Sequence, residues 1–472
     1  MKPKKQKVFD IIVIGSGLNG LNFIDKYLEK KKYINVIAPN LDKPHKGKKV
    51  RFLKSLPSQM KGNRTFVNNY FLSNNIFMKK GVNVLGILKS GGLSDFWGLQ
   101  FDSYFNNDQK SLSNNIFKDI ENEFVKFCKK FNLVGKFHHK DKIVYNKDYT
   151  IPTHLEKLEE IKNSKYLVKK PMLAFSVKKF FNKNLNSIDE KKSKITASNF
   201  LKKLNNKKIK HHNYYVDKIT KKGNLIELIC KNSQQQKKFI AKKIVLAAGT
   251  IATTKLIMDF LNIKREVKIL HHPRLTSMFI SSYKILSNLS FTPSLLQIIN
   301  KKKTDYFSAD LRPGNSLITD SIIEAFPFMK PLKNIINALK NRLIFSNILL
   351  DSSNSDLYIK KSKNFFKIYS KNKNLKKVLK NKNFQIFKYL TSKKIILPLF
   401  KTFYPGAGAD FHYFGTIPFK KKGRLSVNEN CQLRDQKNIY IVDSSVFNFK
   451  TNKYPLGLAV ANARRMGKIL SK

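Results

Sequence analysis

The stretch Phe9-Asp10-Ile11-Ile12-Val13-Ile14-Gly15-Ser16-Gly17-Leu18-Asn19-Gly20 decides how this chain is read. A short, mainly apolar strand runs straight into G-x-G-x-x-G, and a helical pattern continues from Leu18 to about Lys30. Strand, glycines and helix in this order form a turn suited to a dinucleotide pyrophosphate. Gly15 lets the chain turn sharply. Gly17, with no Cβ, lets the backbone approach the phosphates, and Gly20 lets the helix pack closely on the strand. The helix N-terminus then faces the anion.

The second strand is expected at Ile34-Asn35-Val36-Ile37-Ala38. Such a strand usually ends in a carboxylate that hydrogen-bonds a ribose hydroxyl. Here Pro39 and Asn40 follow it, with no carboxylate before Asp42. The ribose is therefore expected to be held by Asn40 or by backbone.

At 472 residues the chain has room for two domains and a large core, and its 42% hydrophobic content is ordinary for a globular protein. No apolar run reaches the roughly 18 residues needed to span a membrane. The Lys-rich start, Met1 to Lys7, resembles the basic end of a signal peptide, but Asp10 and the glycine turn follow, so no secretion signal is read. The three cysteines, Cys128, Cys230 and Cys431, are too few and too widely spaced for a disulfide framework or a Cys-based zinc cluster. A cytoplasmic setting fits.

The formal charge is +61, and only 10 of the 92 basic residues are Arg. Lys, Asn, Ile and Phe share AT-rich codons, so solvated lysine faces produced by genome composition are the first account. Attraction to acidic membrane lipid or to an anionic substrate is the second. Nucleic acid ranks last, because dedicated phosphate recognition favours the Arg fork and the lysines form no single stripe. Any anion contact would be steeply salt-dependent.

Further segments repeat the pattern of strand, small residues and turn. Gly86 to Gly98 contains Gly91-Gly92-Leu93-Ser94-Asp95-Phe96-Trp97-Gly98. Lys243-Ile244-Val245-Leu246 leads through Ala247-Ala248-Gly249-Thr250 into a helix, and small residues there let a bound cofactor approach. Near the C-terminus, His412-Tyr413-Phe414-Gly415-Thr416 precedes a strand, Ile439 to Val442, that delivers Asp443-Ser444 at its carboxyl end, where ligands of open α/β sheets bind. A helix is expected from about Pro455 to Leu470. Between these segments the pattern predicts a helix within 110–136, a capped helix start at Thr196, and paired strands between His212 and Cys230. Residues 280–400 carry no motif, and Lys360 to Lys382 reads as exposed surface. His271-His272-Pro273-Arg274 shows no further metal ligands at suitable spacing, and His211-His212 reads as a strand edge, so no metal site is assigned.

The glycine turn, Gly-Gly-Leu-Ser-x-x-Trp-Gly, Ala-Ala-Gly-Thr-Ile, His-x-x-Gly-Thr and Asp-x-Ser, in this order, resemble the glucose–methanol–choline (GMC) oxidoreductases. The chain looks most like the divergent branch associated with surface-polysaccharide metabolism. The resemblance covers residues 8–40, 86–102, 240–260 and 404–470. It implies FAD, with Gly15, Gly17 and Gly20 at the pyrophosphate and Gly91, Gly92 and Ser94 lining the flavin. It also implies Val216 near the adenine, Ala248 and Gly249 close to the cofactor, and Asp443 with Ser444 at the ribityl chain. Trp97 either stacks near the isoalloxazine or fills core. His412 matches the family's catalytic histidine, 31 residues before Asp443. An imidazole suits a base that takes a hydroxyl proton as hydride leaves the carbon. Two departures stand out. Tyr454 occupies the place of a second His or Asn, and Asp95 stands where relatives often show Asn.

The expected fold is α/β: an FAD/NAD(P)-binding Rossmann-like domain from residues 1–110, 191–270 and 404–472, with a mainly antiparallel-sheet substrate domain from 111–190 and 271–403. The expected activity is FAD-dependent oxidation of a CH–OH group in a sugar or related small-molecule alcohol, catalysed through His412 and Tyr454. An NAD(P)-dependent dehydrogenase or reductase is one alternative. A non-catalytic binder of anionic glycan, lipid or nucleic acid is the other.

Overall fold

The computed structural model describes residues 7–41, 60, 62–102, 112–139, 142–161, 165–177, 187–204, 206–285, 291–302, 305–314, 319, 323, 327–371, 374–420, 422–449 and 454–472. The basic start Met1 to Gln6 and Asp42 lie outside the described residues.

The protein is a mixed α/β molecule. From Ile11 to Ile14 the first strand, Val8–Ile14, is apolar and buried without interruption, as in a strand covered on both faces. It pairs in parallel with Ile34–Ile37 on one side and with Gln236–Leu246 on the other. Ile209–His212 extends the sheet beyond Ile34–Ile37, and Ile439–Ile441 pairs with the end of Gln236–Leu246, again in parallel. His211-His212 therefore lies on an edge strand, where the His212 ring meets Asn35 at 3.1 Å. The first half of Gln236–Leu246 carries an antiparallel hairpin, Leu225–Lys231 with Tyr215–Lys222. Parallel pairing turns the carboxyl ends of these five strands to one side, where Gly15, Ala38, Asn213, Ala247 and Val442 follow them.

Close packing holds this side rigid. A Cβ on Gly15, whose φ is +108°, would lie 2.3 Å from the Ala247 carbonyl oxygen, and one on Gly20 would lie 2.2 Å from that of Gly15. The opening helix, Leu18–Tyr27, packs on the last helix, Leu456–Leu470. Between them the buried Arg464 donates to Asp25 at 2.8 Å and Asn22 at 3.1 Å. The helix expected within 110–136 spans Asn114–Lys130; its Phe124 stacks on Phe101 and its Phe127 packs tilted against the same ring, both at 5.2 Å. Thr196 caps Ala197–Lys203 by accepting the Asn199 N–H.

The motif-free middle of the chain forms a six-stranded antiparallel sheet, in the order Ile396–Phe403, Arg274–Ser281, Leu343–Leu350, Phe307–Pro313, Leu296–Asn300, Tyr166–Lys169. A smaller sheet joins Val267–Ile269, Leu357–Ser362, Phe365–Ser370 and Ile76–Met78, drawing strands from both halves of the expected division. Lys360 to Lys382 is not simply surface. Phe366, Ile368, Leu375 and Leu379 are buried while Lys371, Lys376 and Lys377 are exposed, because strand and helix periodicity put alternate faces in the core. Among the described residues no helix is long and apolar enough to cross a membrane.

Candidate functional site

A cleft of about 230 Å³ opens at the carboxyl ends of the parallel strands. Its walls come from segments far apart in sequence: the glycine turn, Ile37–Pro39, Leu85–Lys89, Gly91–Ser94, Tyr214–Val216, Ala247–Ala252, Phe411, Tyr413, Asp443 and Ser444. Gly15, Gly17, Gly91, Gly92, Ser94, Val216, Ala248, Gly249, Asp443 and Ser444 thus share one wall system.

Serine hydrogen bonds join the first two segments. Ser94 Oγ accepts the Leu18 N–H at 3.0 Å and donates to the Gly91 carbonyl at 2.7 Å. Ser16 Oγ accepts the Gly91 N–H and meets Ser90 Oγ, both at 3.2 Å. Ser16 and Ser90 carried no signal in the sequence beyond their adjacency to glycines. Tyr70, from the helix Arg64–Ser73, also lines the cleft and was not singled out.

Other expected residues sit elsewhere. Gly20 lies behind the turn, as its contact with Gly15 requires. Asn40 is exposed and outside the cleft lining, and its N–H donates to Asn213 at 2.7 Å, so Pro39 is the last cleft residue of that segment. Trp97 is also outside the lining. Its indole N–H donates to the Ile195 carbonyl at 3.2 Å, and its ring meets Phe101 edge-on. Asp95 turns to Ser198, accepting its N–H at 2.8 Å and its hydroxyl at 2.5 Å.

Asp443 is buried and fully engaged by the protein. One oxygen accepts from Gly249 N–H at 3.1 Å and Thr253 Oγ1 at 2.5 Å, and the other from the N–H and hydroxyl of Ser445. A carboxylate has about four acceptor sites, so none is left over. Burial raises its pKa and these four bonds oppose the rise. Its side chain ties the Gly249 turn to residues 444–446.

His412 is itself outside the cleft lining, between Phe411 and Tyr413, which line it, and Tyr454 is outside it too. Leu270 and Phe414 form an antiparallel bridge, which brings His272 alongside His412, with ring centroids 5.9 Å apart. Asp410 lies beneath both. Its Oδ1 meets His271 Nδ1 at 2.8 Å, and its Oδ2 accepts the N–H groups of His272 at 2.9 Å and His412 at 3.3 Å. His412 Nδ1 is 3.5 Å from the same oxygen. Burial lowers the His271 pKa, but Asp410 and Asp356 outweigh it and lift it to about 9. Burial likewise works to raise the Asp410 pKa, and His271 outweighs it, keeping the carboxylate ionised.

The His412 side chain is 25% exposed. Burial, with the charges of His272, Arg274 and Arg312, holds its pKa well below the usual histidine range, against the pull of Asp410. It is a neutral imidazole at neutral pH. On its other flank the Tyr454 ring packs edge-on at 4.1 Å. The Tyr454 hydroxyl donates to Asp310, beside Arg312 at 3.5 Å, and burial and Asp310 push its pKa far up. Its proton is committed to Asp310. Tyr454 thus meets His412 through its ring edge and turns its hydroxyl to Asp310.

His272, Asp410 and His412 have donor atoms within 4.8 Å of one another, a set that by type could hold a metal ion. The missing ligands beside His271-His272 thus come from residues 410 and 412. Three of the roughly four acceptor sites of Asp410 are already filled, and Arg274 and Arg312 act on the same imidazole, which disfavours a cation there. No protein-family model matches the chain, and no curated protein matches it.

Proposed function

We propose that the chain is an FAD-dependent oxidoreductase acting on the CH–OH group of a small-molecule alcohol, with a sugar or sugar-derived alcohol as substrate, similar to the GMC oxidoreductases. Gly17 carries this reading. Its φ of −69° suits any residue, and a Cβ there would come no closer than 3.5 Å to another atom of the protein. Neither backbone strain nor internal packing demands glycine at this position. Close approach of a ligand to the helix N-terminus in the cleft accounts for it. Gly92 and Gly249 also have open space where a Cβ would stand, so the cradle fits a cofactor laid along it.

Bound in this cleft, FAD would supply the hydride-accepting centre. The glycine turn and the N-terminus of Leu18–Tyr27 would take its pyrophosphate, and Ala38, Pro39 and Val216 would flank the adenosine end. His412, neutral and partly exposed, takes the hydroxyl proton of the substrate. Tyr454 and Asp410 hold its ring and backbone from two sides. A low pKa keeps the imidazole available as an acceptor at the expense of its basicity.

The visible absorbance of the purified protein, before and after denaturation, tests the reading. A flavin spectrum with released FAD is expected, followed by anaerobic bleaching on addition of substrate alcohol. Colourless protein that cannot be reconstituted with FAD would overturn it and favour a non-catalytic binder.

A further inference from the structure

Among the described residues, Arg274 is the one half-buried arginine with no hydrogen-bond or carboxylate partner. It opens the strand Arg274–Ser281, directly after His271-His272-Pro273. Its guanidinium lies over the Phe411 ring, 5.6 Å from the centroid, and Phe411 lines the cleft. Its buried Nε has no partner, and among the described residues it donates no hydrogen bond and meets no carboxylate within 4 Å. The other described arginines that are not fully exposed, Arg312, Arg342, Arg434, Arg464 and Arg465, each donate at least one hydrogen bond. Asp410, the carboxylate with the strongest pull on Arg274, is already bonded to His271.

A partly buried arginine without a partner is costly, and such a charge is retained where an anion comes to it. The guanidinium fork matches a planar carboxylate or a phosphate with two parallel bonds. Phe411 holds it from one face, with its own backbone in the left-handed region at φ +64°. The other neighbours with electrostatic reach are Tyr413, Tyr454 and Arg312. This is the surrounding of His412.

We propose that Arg274 recognises an oxyanion, a carboxylate or a phosphate, carried by the alcohol that reacts in front of His412. The proposal rests on the reading of His412 as the reacting side of the cleft and narrows the substrate to an acidic or phosphorylated alcohol. A neutral alcohol lacks this anchor.

Calorimetric titration of the purified protein at physiological salt tests this, with glucuronate as the carboxylate probe, glucose 6-phosphate as the phosphate probe and glucose as the neutral one. One anionic probe is expected to bind at least ~10-fold more tightly than glucose, and which one binds tells carboxylate from phosphate. Arg274→Gln should lose ~10- to 100-fold in that affinity, and Arg274→Lys should recover only part of it. Unchanged affinity in Arg274→Gln would assign anion binding to the surface lysines and overturn the proposal, as would failure of both anionic probes. In ligand-free protein, Arg274→Leu should raise the melting temperature, since it removes an unpaired charge. A fall would mark Arg274 as part of the fold and count equally against it. None of these readouts needs flavin. Arg274-dependent binding in colourless protein would sink the oxidoreductase reading alone, and bleaching by neutral alcohols with no Arg274 effect would sink this one alone.

Discussion

At the glycine end of the cleft the close contacts are between backbones, whereas at the His412 end they are between buried charged side chains. Gly15, Gly20 and Ala247 touch through carbonyl oxygens at distances that leave no room for a Cβ. His271, Asp410, Asp310 and Arg312 meet through hydrogen bonds and ion pairs inside the core. Steric fit is insensitive to pH and salt, while a buried ionic network depends on every member keeping its charge. One end therefore depends on backbone shape, and the other on charge.

The largest expected effect lies at the rigid end. Gly15→Ala forces a Cβ into the Ala247 carbonyl at a φ of +108° and should destabilise the protein by more than about 3 kcal/mol, seen as loss of soluble folded protein. A well-folded variant would mean that the turn yields. The ionic end should show instead in the pH dependence of stability. The folded pKa of His271, about 9, is above its ordinary 6.5. Its contribution is complete below pH 6.5 and fades as the pH rises through 9, by an amount on the order of 3 kcal/mol. Denaturation across this range should show the decline, and Asp410→Asn should flatten it. An equal slope in the variant would place its origin elsewhere.

Three smaller effects sharpen the contrast. His412→Ala should keep bound flavin while flavin reduction by substrate falls at least ~100-fold in stopped-flow traces. Equal rates would remove His412 from the chemistry. Asp443→Asn swaps an acceptor for a donor among four donors. It should cost about 1–3 kcal/mol in thermal denaturation and loosen the Gly249 turn, with lower flavin occupancy. Full occupancy at lowered stability would confine Asp443 to the fold. Gly17→Ala should change stability by less than about 0.5 kcal/mol yet weaken flavin retention, because its Cβ meets only the cleft. Retention equal to wild type would break the argument drawn from Gly17.

The parallel sheet was legible because each of its parts is local. Apolar runs at Ile11–Ile14 and Ile244–Leu246, glycines at fixed offsets, and a 3.6-residue pattern after Leu18 each specify an element within about a dozen residues. The antiparallel sheet between 274 and 403 was less legible, because its order depends on pairings between distant strands such as Arg274–Ser281 with Leu343–Leu350. Lys360 to Lys382 misled because charge was weighed over periodicity, although Phe366, Ile368, Leu375 and Leu379 mark a buried face.

The sequence by itself determined the strand–turn–helix at residues 8–27, since short-range sterics and hydrophobic period suffice for it, while His412 and Asp443 were singled out by the order of motifs that resembles a known family. Only the tertiary structure decided what surrounds them. It closed Asp443 off with four donors, committed the Tyr454 proton to Asp310, and left Arg274 without a partner. The physical reason is the Leu270–Phe414 bridge, which joins positions 144 residues apart and sets His271, His272 and Arg274 against Asp410 and His412. A charge acts on what lies near it in space, and that neighbourhood is fixed by packing rather than by spacing along the chain.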